Sequence, residues 1–430
     1  MIRPTTIALL ITLILPAALY TIIAAPSHGP GLLLVAVVWI CVGLATAREP
    51  FVLRRTDAHP VIAVLALSVV LFLHLMIESL QIGNVNLGRF FTSCGFLMLL
   101  CAGADFASRN LMREGPADLI KAADIVLFVM TLMGIASLAG APHIGLQASP
   151  KSILLFAEPS HFGLSFLPPL LFRVAVSRRP QQFALLAGAL ALGALLQSLT
   201  MIVGILLLAA LLLRSALVGA MVLCTAPIAL VLDLTYYADR LNLTSDSTNI
   251  STLVFLQGWE NAILNFGETH GFGVGFQQFG ISGSIGEIAE KIAMQTGGSY
   301  LSLLDGGSTA TKLIAEFGVV GIVILLVYTR QAMRGVSEIR SQQRLTASGR
   351  DVQRIFFQSL IVSYTLELFI RGVGYFSAGG FLAVTALISL HRLGGQATSL
   401  GTAPSAPPPT GAPDYRSCPT NAAPADRVCR

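Results

Sequence analysis

Charge is what this chain has least of: 11% of its 430 residues are Asp, Glu, Lys or Arg, against 54% that are hydrophobic. Soluble globular domains carry about 25% charged residues, so the deficit argues against that class. None of the six cysteines lies in a CxxC or CxxH pattern, which argues against a thiolate metal site. No HExxH, GxSxG or Walker sequence is present, so zinc-hydrolase, serine-hydrolase and P-loop chemistry have no foothold. The net charge of +5 does not mark a nucleic-acid binder, because the basic residues are scattered between apolar runs rather than gathered in a patch.

What the sequence has instead is hydrocarbon in span-length runs. Apolar stretches at 5–24, 29–47, 60–77, 89–107, 122–141, 159–176, 183–197, 200–213, 215–232, 309–328, 355–370 and 373–391 read as about twelve helices of an all-α polytopic membrane protein. The first resembles a secretory signal, with Arg3 and small residues at Ala24 and Ala25, but it is long enough to span and is taken as a retained helix. Residues 183–213 admit either one tilted helix or two short ones turning at Gln197-Ser198-Leu199-Thr200. Charge asymmetry decides for two. With both termini inside, only Arg89, Lys151, Arg240, Lys291, Lys312 and Arg371 of the 27 basic residues face outward, whereas one helix would expose the arginine-rich segment 329–354.

This divides the chain into helices 1–9 over 1–232, a large outward loop over 233–308, helices 10–12 over 309–393 and a tail over 394–430. The loop is rich in Gly, Ser, Thr and Asn, whose unpaired backbone groups hydrocarbon does not accommodate. The Pro-rich tail has no apolar face to bury and is expected to be disordered in the cytoplasm, with Cys418 and Cys429 as free thiols.

Chemistry is expected where charge sits against these rules. Arg89 and Lys312 each fall in the first turn of a helix starting at the outer face, where the helix dipole disfavours a cation and a shared anion would resolve the conflict. The bland alternative is that both snorkel to lipid phosphates. Glu158 and His161 open the sixth helix at the same boundary, behind Pro159. Residues 249–262 read as an amphipathic helix offering Gln257, Trp259 and Glu260 for sugar or interface contacts. The glycines after His270 are read as allowing close backbone approach to a ligand or another loop. Lys312 and Glu316, and likewise Glu367 and Arg371, are spaced to pair along a helix.

Four segments carry a family resemblance: FAEPSHFG from Phe156, LVFLQGWENA from Leu253, GFGVGFQQFG from Gly271 and STATKLIAEFGVVG from Ser308. In these the chain resembles the bacterial O-antigen and exopolysaccharide polymerases of the Wzy type, relatives of the O-antigen ligases. The resemblance implies a multi-pass glycosyltransferase of the bacterial inner membrane, with the large loop periplasmic. It would move a growing glycan from undecaprenyl diphosphate to a sugar hydroxyl of a new lipid-linked repeat unit, without metal or cofactor. Its partners would be membrane lipids, a chain-length regulator and a flippase. Arg89, Arg240, Lys312 and Arg371 would hold the diphosphate. Glu158 or His161, with His270 and Asp305 behind them, would take the hydroxyl proton, and Gln257, Trp259, Glu260 and Gln277 would contact the glycan. The ligases carry a His-Asn pair where this chain has Gly307 and Ser308, which favours the polymerase. A transporter of the same lipid-linked sugars is the competing class, and broken helices at the midplane or repeat symmetry would mark it.

Overall fold

The computed structural model describes residues 2–25, 27–46, 58–146, 151–213, 217–223, 234–342 and 349–401. No strand occurs among them. Eight helices come first: α1 (Pro4–Ile22), α2 (Gly29–Ala45), α3 (Ala58–Ile82), α4 (Leu87–Arg113), α5 (Pro116–Leu138), α6 (Pro159–Ala175), α7 (Arg179–Leu195) and α8 (Leu199–Leu212). A short α9 (217–223) follows, then α10 (Leu234–Leu241), α11 (Ile250–Glu268), α12 (Glu287–Gln295), α13 (Thr309–Gln342), α14 (Gly349–Phe369) and α15 (Ala378–Gly401). Proline within the first two positions starts α1, α2, α5, α6 and α7, where its missing N–H costs nothing. Asn86 and Ser198 cap α4 and α8 through their side chains.

Five helices, including α4, α5 and α13, are long and apolar enough to cross a bilayer. α2 and α8 are shorter apolar helices. The 183–213 region is two helices, with the chain reversing at Gln197 in the left-handed region (φ 52°). Most of the ninth expected span lies outside the described residues. So do Cys418, Cys429 and the Pro-rich tail. α15 continues to Gly401, past the Gly394 at which the tail was expected to begin.

Buried most deeply is α6, with 13 of its 17 residues inside the protein and α1, α5, α7, α8 and α14 packed around it. Helices approach closely where side chains are small. A Cβ on Gly103 would stand 2.7 Å from Ala36, and one on Gly31 would stand 2.5 Å from Pro16 Cα, which fixes α2 against α4 and α1.

The bundle has two chemically distinct ends. At one, Arg3 of α1 bridges Glu114 and Asp118, Gln353 of α14 donates to the Met112 carbonyl at the end of α4, and Arg340 of α13 donates to the last carbonyls of α8. At the other lie the starts of α2, α4, α6, α8 and α13 and the ends of α1 and α14. There the His28 and His161 rings meet at 5.0 Å, Ser198 donates to Pro159 O, and Gly372 N–H donates to Gly307 O. Alternate helices therefore begin at alternate ends, as the charge count requires of two short helices at α7 and α8.

The polar stretch between α9 and α13 folds rather than dangling. α10, α11 and α12 form within it, and α11 lies along the first turns of α13. A Cβ on Gly258 would fall 1.9 Å from Gly306 O, so only glycine permits that packing.

Candidate functional site

One helix is broken to build this end of the bundle. Gly318 of α13 takes φ 54°, ψ −126°, which divides it into a short N-terminal segment and a long C-terminal one. Freed α13 carbonyls are then met by the glycine-rich segment: Val274 N–H donates to Ala315 O and Gly275 N–H to Glu316 O. In return Val319 N–H donates to Gly271 O. Gly271, Gly273 and Gly275 all have φ near +90° (86°, 90°, 93°), and a Cβ on Gly273 would stand 2.5 Å from the α13 backbone. The glycines serve close approach to another element, and the polar backbone of a broken helix is thereby satisfied inside protein. The exposed apolar strip of α13 begins just below, at Val319, Val320 and Val323.

The N-terminal segment of α13 carries Lys312 into the protein, 2% exposed, rather than into a first turn facing lipid phosphates. Its ammonium donates to Leu304 O at 2.7 Å and to Gln277 Oε1 at 3.4 Å, lies 3.8 Å from Glu316 and sits over the Tyr375 ring at 5.2 Å. Arg89 Nη2 also donates to Gln277 Oε1, at 3.3 Å. Gln277 is thus a buried bridge between two cations, held at φ 63°. Asp305 stands half-buried beside Gly374. Burial raises its carboxyl above the ordinary range, while Lys312, Arg89 and Arg371 pull it down.

Arg371 does not fold back on Glu367. α14 ends at Phe369, so Arg371 leaves the helical path and reaches Glu158 at 2.9 Å. The guanidinium beside it holds the Glu158 carboxyl down at about 2, with His161 and a hydrogen bond from Ser160 acting the same way against burial. A carboxylate that weakly basic is a poor proton acceptor at neutral pH.

The pair lines a cavity of about 490 Å³. Lys151 and Arg240 line it too, so three cations and one carboxylate face a space whose walls are mainly apolar, among them Leu199, Val203, Leu241, Phe255 and Ile370, with the hydroxyls of Ser160, Thr200, Ser251 and Thr252 between them. His161 packs away from it, against His28 and Tyr20. Burial keeps the His28 ring neutral, down at about 3. His28, His161 and Glu367 together line a second, small cavity of about 30 Å³, into which Gly379 allows the Glu367 carboxyl to fit.

The expected site residues therefore divide. Glu158, Arg240 and Arg371 share the 490 Å³ cavity, while Arg89, Lys312, Asp305 and Gln277 form a network within electrostatic reach of Arg371. Glu260 is taken up elsewhere: its carboxylate accepts the Glu287 and Ile288 N–H groups and caps α12. Gln257 is buried in the packing face of α11, Trp259 is half-buried, and His270 stands exposed at the turn closing α11.

Lys151, His28, Tyr20 and Gln278 are additions of the structure. Only Lys151 carried a sequence signal, as one of the outward cations. Gln278 is wholly buried and fastens the loop to the start of α4 by exchanging hydrogen bonds with Asn86. Neither a family model nor a curated protein matches the chain.

Proposed function

We propose that this protein is a membrane glycosyltransferase of the polysaccharide-polymerase kind, working on undecaprenyl-diphosphate-linked repeat units at the periplasmic face of a bacterial inner membrane. On this reading the chain crosses the membrane about twelve times, and α10 to α12 belong to a periplasmic loop. The observation that carries it is the 490 Å³ cavity, whose three cations and apolar walls suit a ligand that joins a diphosphate to a hydrocarbon chain.

In this mechanism Lys151, Arg240 and Arg371 hold the diphosphate of the donor, and Glu158 orients Arg371. The acceptor hydroxyl oxygen bonds to the anomeric carbon as the bond from that carbon to the diphosphate oxygen breaks. The electron pair leaves with the diphosphate, where the cations stabilise the developing charge. The hydroxyl proton passes to Asp305, which stands outside the donor cavity in the network of Arg89, Lys312 and Gln277 and within electrostatic reach of Arg371, so that the acceptor approaches from that side. Because a diphosphate leaves readily, holding donor and acceptor together supplies much of the acceleration.

The second reading is a transporter of the same lipid-linked sugars, and the break at Gly318 favours it, since discontinuous helices build many transport sites. Against it, the break lies at the upper edge of the apolar strip of α13 rather than halfway along it. The purified protein incubated with a lipid-linked repeat unit separates the possibilities. A ladder of products supports the polymerase, one transferred glycan indicates a ligase, and movement across a vesicle without new glycosidic bonds indicates a transporter.

A further inference from the structure

At the opposite end of the bundle is a second cavity that the proposed reaction does not use. About 800 Å³ in volume, it opens between the later turns of α13, the early turns of α14 and the Leu387–His391 stretch of α15. Arg330, Arg334 and Arg354 line it, with Glu338 as the one carboxylate. Glu338 is already engaged, by Arg354 at 2.9 Å and by Gln358 Nε2 at 2.9 Å. Arg330 and Arg334, both exposed, are left as excess positive charge and make none of the ion pairs among the described residues.

Position along α13 says what kind of anion this charge would meet. The exposed apolar strip runs through Val319, Val323 and Val327. At 1.5 Å per residue, Arg330 and Arg334 follow Val327 by about 4.5 and 10.5 Å. A bilayer changes from hydrocarbon to headgroup over about that distance. Exposed Met333 and Leu387 continue the apolar wall into the cavity. Gln358, 2% exposed, lines the same cavity, where its Nε2 holds the Glu338 carboxylate and its Oε1 lies buried against Gly335 of α13.

We propose that this cavity binds an anionic phospholipid, its phosphate on Arg330 and Arg334 and an acyl chain along Val327 and Leu387. The site stands whether or not the chain is a polymerase. A soluble phosphate would offer the same anion without the chain, and the test separates the two.

The full chain in detergent is titrated with phosphatidylglycerol, with phosphatidylcholine and with inorganic phosphate, reading the thermal unfolding midpoint. Phosphatidylglycerol raises the midpoint and the other two do not. Each arginine near an anionic headgroup is worth about fivefold in affinity, so Arg330→Gln with Arg334→Gln weakens the titration about thirtyfold. Leu387→Trp, which fills the apolar wall and keeps both arginines, weakens it as well and decides the matter if the double variant does not fold. The proposal is overturned if phosphatidylglycerol gives no shift, if inorganic phosphate gives the same shift, or if the variants titrate like the parent.

Discussion

Arg371 pairs with Glu158, 213 positions away in the chain, and not with Glu367, one helical turn before it. That choice joins the start of α6 to the turn after α14, and it aims a guanidinium into the cationic cavity. The pairing also makes the Glu158 carboxylate titrate far below its ordinary value of 4.5, at about 2. Stabilisation from this pair is fully present above pH 4.5 and is lost as pH falls through about 2. The thermal midpoint of the parent should drop over that window more than that of Glu158→Gln. Because Glu158 is 41% exposed, the difference should be less than about 1 kcal/mol. Equal acid sensitivity of the two proteins would remove the pair as its cause.

Lys312 and Glu316 are 2% and 0% exposed, so removing one partner strands the other. Lys312→Ala should cost about 3–5 kcal/mol of stability, whereas Lys312→Met with Glu316→Leu together should recover most of it. Chemical denaturation of the three proteins measures this. If Lys312→Ala instead unfolds like the parent, the ammonium is not holding the start of α13 in place.

Gly318 is the break between the two segments of α13, and a Cβ there would stand 1.8 Å from Gly271 O. Gly318→Ala should therefore release the glycine segment. The loss is about 1–3 kcal/mol from placing a side chain on this glycine-only backbone, before the clash. Protease cutting near His270 should rise in step, and unchanged cutting would count against the docking.

Orientation is open to direct labelling. In a cysteine-free background, a membrane-impermeant thiol reagent applied to the periplasmic side should reach Met294→Cys in α12, which is 78% exposed. It should reach Ser337→Cys at the other end of the bundle only after the membrane is opened. The reverse order would invert the proposed topology.

If the cavity holds a diphosphate, Arg240→Ala and Lys151→Ala should each lower kcat/KM for a lipid-linked donor by about tenfold or more, as expected for one lost charge-assisted hydrogen bond. The loss should fall on kcat as well as on KM for the donor, because these cations meet more charge in the transition state than in the bound donor. A loss confined to the acceptor glycan would assign the cavity to the sugar.

Helix positions were readable from the chain because a span needs an uninterrupted apolar run, and such runs are local. The turn at Gln197 and the alternation of helix ends were readable for a related reason, since Arg and Lys mark one end of nearly every hairpin. The need for close approach at Gly271, Gly273 and Gly275 was readable too, although the partner was not. Glycine states that a backbone must come near something, not which one.

Pairing among the charges could not be read in this way. Spacing offered Arg371 to Glu367, but the end of α14 at Phe369 took Arg371 off the helix face where that spacing applies. Glu260 looked available on α11 until α12 placed its unsatisfied N–H groups within reach. His161 shares a turn with Glu158, yet it faces His28 and Tyr20 because α1 and α2 pack on that side of α6.

The sequence by itself determined that this is a membrane-embedded helical protein with one polar stretch between α9 and α13, because transfer from water to hydrocarbon is a property each segment carries alone. Tertiary structure decided which cations meet which carboxylates and which cavity they line. Charges in a bundle act over a few ångströms on whatever the fold brings beside them, and those neighbours come from positions as far apart in the chain as Glu158 and Arg371.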